Sequence, residues 1–133
     1  MTEEINFFQA LFFSNTATTA VNQHEAKLVK ALIKDAKTTV EIAETEAAHG
    51  ETLLNLLRMT RKNKELKQNM ATIAVWHFER SLGKYQDAAA RYGEAGRVQT
   101  KNSRVFFAEA RAMAKRADET GEIVELLNKL LAK

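Results

Sequence analysis

No proline interrupts this chain, and glycine occurs only five times in its 133 residues. Inside a helix, proline costs about 3 kcal/mol and glycine about 1 kcal/mol relative to alanine. A chain nearly free of both can run in long helices. Ala, Leu, Glu and Lys, all strong helix formers, are abundant, and β-branched residues never alternate with polar ones as strands require. The expected class is all-α. With 45% apolar residues, the chain suits a single domain over residues 1–133 with a real hydrophobic core.

Apolar spacing places the helices. A short first helix is expected from about Thr2 to Phe13, with Ser14-Asn15-Thr16 as the turn and cap that follow it. Residues 1–15 are thereby set apart as a docking segment. A long helix from about Thr16 to His49 carries Ile33, Ala36, Val40, Ala43 and Ala47 on one face, with Lys27, Lys30, Lys34 and Lys37 as its solvated flank. Leu53, Leu56 and Leu57 continue in a shorter helix that fades at Arg61-Lys62-Asn63-Lys64. A further helix over Asn69–Leu82 holds Ile73, Val75, Trp76 and Phe78. The next, over Lys84–Val98, shows a stripe of Tyr85, Ala88, Tyr92 and Ala95. After a polar connector at Thr100–Ser103, one helix carries Phe106, Ala110, Met113 and Ala117, and the last buries Ile123, Leu126, Leu127 and Leu130.

Gly50, Gly83 and Gly121 each fall between two of these stretches, and glycine is the residue that most readily ends a helix. Their separations of about 33 and 38 residues lie in the range of helical repeats. This divides the chain into helix pairs over about 16–67, 69–98 and 102–132. A bundle that merely places glycine at its turns would show the same spacing, so the flanking residues matter. Gly83-Lys84-Tyr85-Gln86-Asp87-Ala88, followed by Tyr92 and Ala95, resembles the second half of a tetratricopeptide repeat. The resemblance implies a tight inter-helix turn at the glycine and close packing of neighbouring helices at the alanines. It covers residues 69–133 and has departures. Trp76 stands where the family prefers a small residue, and Thr100 stands near the place of its closing proline. Gly121, Ile123, Leu126 and Leu130 match a second copy only after a longer first helix. The expected architectures are stacked helical hairpins or a compact multi-helix bundle.

Charge is unevenly distributed. Residues 1–57 hold four lysines against eight acids, residues 58–116 hold fourteen basic residues against five acids, and residues 117–133 hold two against four. The basic middle suits an acidic partner protein or, as the alternative, nucleic acid. No helix-turn-helix, zinc-finger or RNA-binding signature accompanies it. It also suits the chain's own acidic ends. Arg104, Arg111 and Lys115 share a helical face, and Arg97 and Lys101 lie nearby in the chain. Together with Tyr85 and Tyr92 they are the expected partner-binding residues. Phe7, Phe8, Leu11, Phe12 and Phe13 cover more than one face of a short helix. Phe8, Phe12 and Phe13 are accordingly expected in self-association as a homo-oligomer.

Catalytic signals are thin. Without cysteine, disulfides, thiolate chemistry and Cys-based zinc sites are excluded. Glu46-Ala47-Ala48-His49 is a single Glu-x-x-His pair, whereas ferritin-like di-metal sites need two pairs and further carboxylates; it reads as a surface pair. His24 and His77 have no partner identifiable by spacing, Ser14, Ser81 and Ser103 lack a nucleophile motif, and no glycine-rich phosphate loop occurs. No enzyme activity, cofactor or metal is expected. The N-terminal apolar run is too short to span a bilayer and follows Glu3 and Glu4 instead of a basic segment, so the expected location is the cytoplasm. The expected function is an adaptor that binds a protein partner in a groove between helices, with a basic face for steering.

Overall fold

The computed structural model describes the backbone of residues 3–133 and the side chains of residues 22–133. Three helices account for nearly all of it: α1 (Glu3–Met59), α2 (Lys64–Val98) and α3 (Ser103–Ala132). The all-α expectation holds, and no helix among the described residues is long and apolar enough to cross a membrane.

Two short polar segments do the turning. α1 ends with Arg58 in its last turn, where a cation favours the negative end of the helix dipole, and Thr60 closes it by donating to the Leu56 carbonyl at 3.0 Å. Asn63 then caps α2: its side-chain oxygen accepts from the Leu66 amide at 3.0 Å, satisfying one of the orphan donors of the first turn. At the other end of α2, the Gln99 amide donates to the Ala95 carbonyl, and residues 99–102 lead into α3. Connections this short leave consecutive helices antiparallel. Cross-helix contacts agree: Ser81 of α2 meets Ala43 of α1, while His77, earlier in α2, meets Glu46, later in α1.

The helices are fewer and longer than the glycine spacing predicts. The α-helical backbone runs without a break through residues 14–16 and through Gly50, Gly83 and Gly121, and no described residue has a positive φ. The hairpin turn implied at Gly83 is therefore not formed: the expected pairs over about 69–98 and 102–132 each fall in one helix, and the pair over about 16–67 spans most of α1, the connector at residues 60–63 and the start of α2. Close packing explains two of the positions. A Cβ on Gly50 would stand 2.6 Å from the Phe78 ring, and one on Gly121 would stand 3.2 Å from Leu82 Cδ1. Gly96 makes a similar approach, with Phe107 2.8 Å from where a Cβ would lie. These glycines are notches that admit a neighbour's side chain. Gly83 faces open space, and nothing in its surroundings requires a glycine.

α2 is the central helix. α1 and α3 both pack on it, and the backbones of those two outer helices stay apart. Small residues make the approach close: Ala36, Ala43, Ala74, Ala88 and Ala95 are wholly buried. One core cluster joins Ala36 and Ala43 of α1 to Tyr85, Ala88 and Tyr92 of α2 and Met113 and Ala117 of α3. The expected stripes on α1, α2 and the first part of α3 are thus the ones used. A second cluster gathers Ala74, Val75 and Phe78 of α2 against Leu127 of α3, with Ala47, Leu53 and Leu54 of α1 packed on it. Ser81 is fully buried between the two clusters and donates to the Ala43 carbonyl at 2.7 Å. That bond satisfies a hydroxyl whose burial would otherwise be costly.

Candidate functional site

Because the backbones of α1 and α3 flank α2 without meeting, a furrow runs between them over α2. Toward the C-terminal ends of α1 and α3 it opens into an apolar groove of about 910 Å³. Leu54 and Leu57 of α1 form one wall, and Ile123, Leu126, Leu127 and Leu130 of α3 form the other. Ala71 and Phe78 of α2 lie between them. Arg58, Lys64, Lys67 and Lys133 stand around it, with Glu51 as the single acid. Leu126 and Leu130 are 61% and 63% exposed, although the sequence pattern predicts that both are buried. The reason is geometric. The backbone of α3 packs on α2 alone, so residues on its α1-facing flank find a gap where a wider bundle would supply a fourth element. An apolar surface of this kind, rimmed by charge, is what marks docking sites on soluble proteins.

Tyr85 and Tyr92, expected to face a partner, are each only 6% exposed and belong to the core. Their stripe packs inward because α2 is covered on two sides. Burial, with the Glu109 charge adding to it, pushes the Tyr92 phenol above its ordinary range. Arg97, Lys101, Arg104, Arg111 and Lys115 are all exposed. Arg97 is engaged by Glu94 of its own helix at 2.8 Å. Arg97, Lys101 and Arg104 lie at the opposite end of α2 and α3 from the groove, so the structure does not join them to it. Part of the basic middle instead meets the acidic first segment. Arg116 reaches Glu44 at 3.0 Å and stacks over Tyr85, and Arg80 reaches Glu46 at 3.4 Å. The side chains of Phe8, Phe12 and Phe13 lie outside the described residues.

A second constellation is polar and joins α1 to α2. Glu46 and His49 stand one turn apart on α1, and His77 comes from the facing turn of α2. Nδ1 of His77 donates to Oε2 of Glu46 at 2.6 Å, and both groups are largely buried. The His49 ring meets His77 edge-on, with centroids 5.3 Å apart, while Arg80 lies 4.9 Å over the Trp76 ring. The hydrogen bond from His77 holds the Glu46 carboxyl below its ordinary value of 4.5; burial opposes this, and the charges of Arg80, His77 and His49 reinforce it. Sequence spacing gives the Glu46–His49 half of this cluster. It has no way to add His77, which lies 28 residues beyond His49 on another helix.

Comparison of the chain with models of known protein families, with curated proteins and with solved structures finds no match.

Proposed function

We propose that this chain is a protein-interaction module whose groove receives an acidic amphipathic helix, and that the helix is the N-terminal segment of a second copy. The groove itself carries the reading: it is apolar along its length, open, and ringed by four basic residues against one acid. Helix-in-groove recognition uses such a surface, with apolar anchors at successive turns for affinity and rim charges for orientation. The chain supplies a segment of the matching chemistry. Glu3 and Glu4 precede Ile5, Phe7, Phe8, Leu11, Phe12 and Phe13, more apolar residues than one stripe needs. That segment opens α1, whereas the groove lies at the last turns of the same helix. A contact between the two is head-to-tail, and repetition of it builds rings or open filaments.

A fluorescent peptide of residues 1–15 tests the reading by anisotropy. It is expected to bind the full chain saturably and to be weakened by salt. Lys64→Glu with Lys67→Glu should weaken it further, and Leu126→Glu with Leu130→Glu should abolish binding. Because Leu126 and Leu130 are already exposed, their replacement leaves the fold intact. Equal binding to the leucine variant, or none to the parent chain, overturns the proposal. So does salt-steep binding of DNA or RNA that survives the leucine changes, which would assign the basic residues of 58–116 to nucleic acid.

A further inference from the structure

Glu46, His49 and His77 place one potential ligand atom each within 4.8 Å of one another. Two imidazoles and a carboxylate are the donor set that zinc accepts in sites with three protein ligands, the fourth position being left to water. We infer that this cluster binds a zinc ion that clamps α1 to α2.

The donor set argues for the ion's class. Imidazole nitrogen suits zinc and its first-row neighbours, whereas magnesium and calcium require more oxygens than a single glutamate offers. The present geometry is close to what binding needs. Two ligands at about 2.0–2.1 Å from a tetrahedral centre stand about 3.3 Å apart. His77 and Glu46, now 2.6 Å apart across a hydrogen bond, must open by less than an ångström on this estimate. The ion takes the place of the proton between Nδ1 and Oε2: His77 then binds through Nδ1 as the neutral imidazole with its proton on Nε2, and a net proton is released only from the imidazolium. His49 is exposed, and its ring already lies edge-on to His77 with centroids 5.3 Å apart.

Arg80 brings a cation beside the site, yet it does not compete for the ligand atoms. Its Nε faces the other carboxylate oxygen, Oε1, at 3.4 Å, and its guanidinium is held against Trp76. It therefore occupies the place of an outer partner that fixes the carboxylate's orientation, as the groups behind metal ligands do. Both helices contribute ligands, so the ion binds the packed pair better than the separated helices and raises the unfolding temperature.

The test is titration of the full chain, stripped with EDTA and dialysed, with zinc chloride followed by calorimetry. One ion per chain is expected, with the imidazole NMR signals of His49 and His77 shifting and those of His24 unmoved. Cobalt(II) should give the visible absorption of a four- or five-coordinate ion. Loss of an outer partner alone costs roughly ten- to a hundredfold in affinity, so losing a ligand costs at least about tenfold. His49→Ala, at an exposed position, is expected to keep the fold and lose affinity by at least that factor. Glu46→Gln should do the same, while His24→Ala should bind like the parent. Absence of stoichiometric uptake by the folded parent, or uptake undiminished in His49→Ala, overturns the assignment.

Discussion

Gly50 of α1 lies against the ring of Phe78 of α2 so closely that a Cβ atom there would stand 2.6 Å from Cε2 and 2.8 Å from Cζ. Phe78 is 1% exposed and cannot swing away into solvent. The glycine is thus kept for the space it leaves at the helix crossing, and its backbone is ordinary α-helix. At Gly83, further along the chain, a Cβ would meet nothing within 4 Å.

Opposite outcomes follow for the two glycines. Gly83→Ala gains helix propensity at no steric cost and should stabilise the chain by about 0.5–1 kcal/mol. Gly50→Ala gains the same propensity but overpacks a rigid crossing at about 3 kcal/mol, for a net loss of about 2–2.5 kcal/mol. Urea denaturation monitored by circular dichroism checks both. Destabilisation by Gly83→Ala would mean that a turn, and not a continuous helix, occupies that position.

Acid should act through Glu46. Its folded-state value is depressed by the hydrogen bond from His77, against burial, with Arg80 and His49 also facing it. The stabilisation is therefore present above the unfolded value of about 4.5 and is lost as pH falls through the lower folded value. With EDTA present, Glu46→Gln is expected to flatten the fall in stability below about pH 4.5. Matching acid limbs in parent and variant would contradict this.

The Glu44–Arg116 pair should contribute little, despite its 3.0 Å separation. Both side chains are about half exposed, and such pairs are typically worth no more than about 1 kcal/mol and are screened by salt. Glu44→Ala is expected to cost less than that at low salt and almost nothing at high salt, as read from the denaturation midpoint. A larger loss would mean that the pair holds α3 to α1 more firmly than its exposure implies.

Legibility in the sequence follows the range of each interaction. The stripe of Tyr85, Ala88, Tyr92 and Ala95 is a local pattern, and all four residues are buried as a stripe should be. Its partner is not local. Tyr85, Ala88 and Tyr92 join a cluster with residues of both α1 and α3, and a stripe with aromatic members reads equally well as a docking surface and as core. Glycine is ambiguous for a related reason: turns and close crossings both select it, and the choice at Gly50 depends on Phe78, which the chain brings back from another helix. The polar connectors at residues 60–63 and 99–102 are readable because capping and helix-breaking act within a few residues. Half of the Glu46–His49–His77 cluster is visible as a Glu-x-x-His spacing, and the other half requires the antiparallel register. Leu126 and Leu130 read as buried although they are exposed, because periodicity reports that a face is apolar without reporting what covers it.

Self-association through the groove is open to direct measurement. Sedimentation velocity over a concentration series compares the parent chain with Leu126→Glu/Leu130→Glu. The parent is expected to form assemblies that grow with concentration, and the variant to remain a folded monomer. A parent that is monomeric at every concentration, or assemblies that persist unchanged in the variant, would contradict the account.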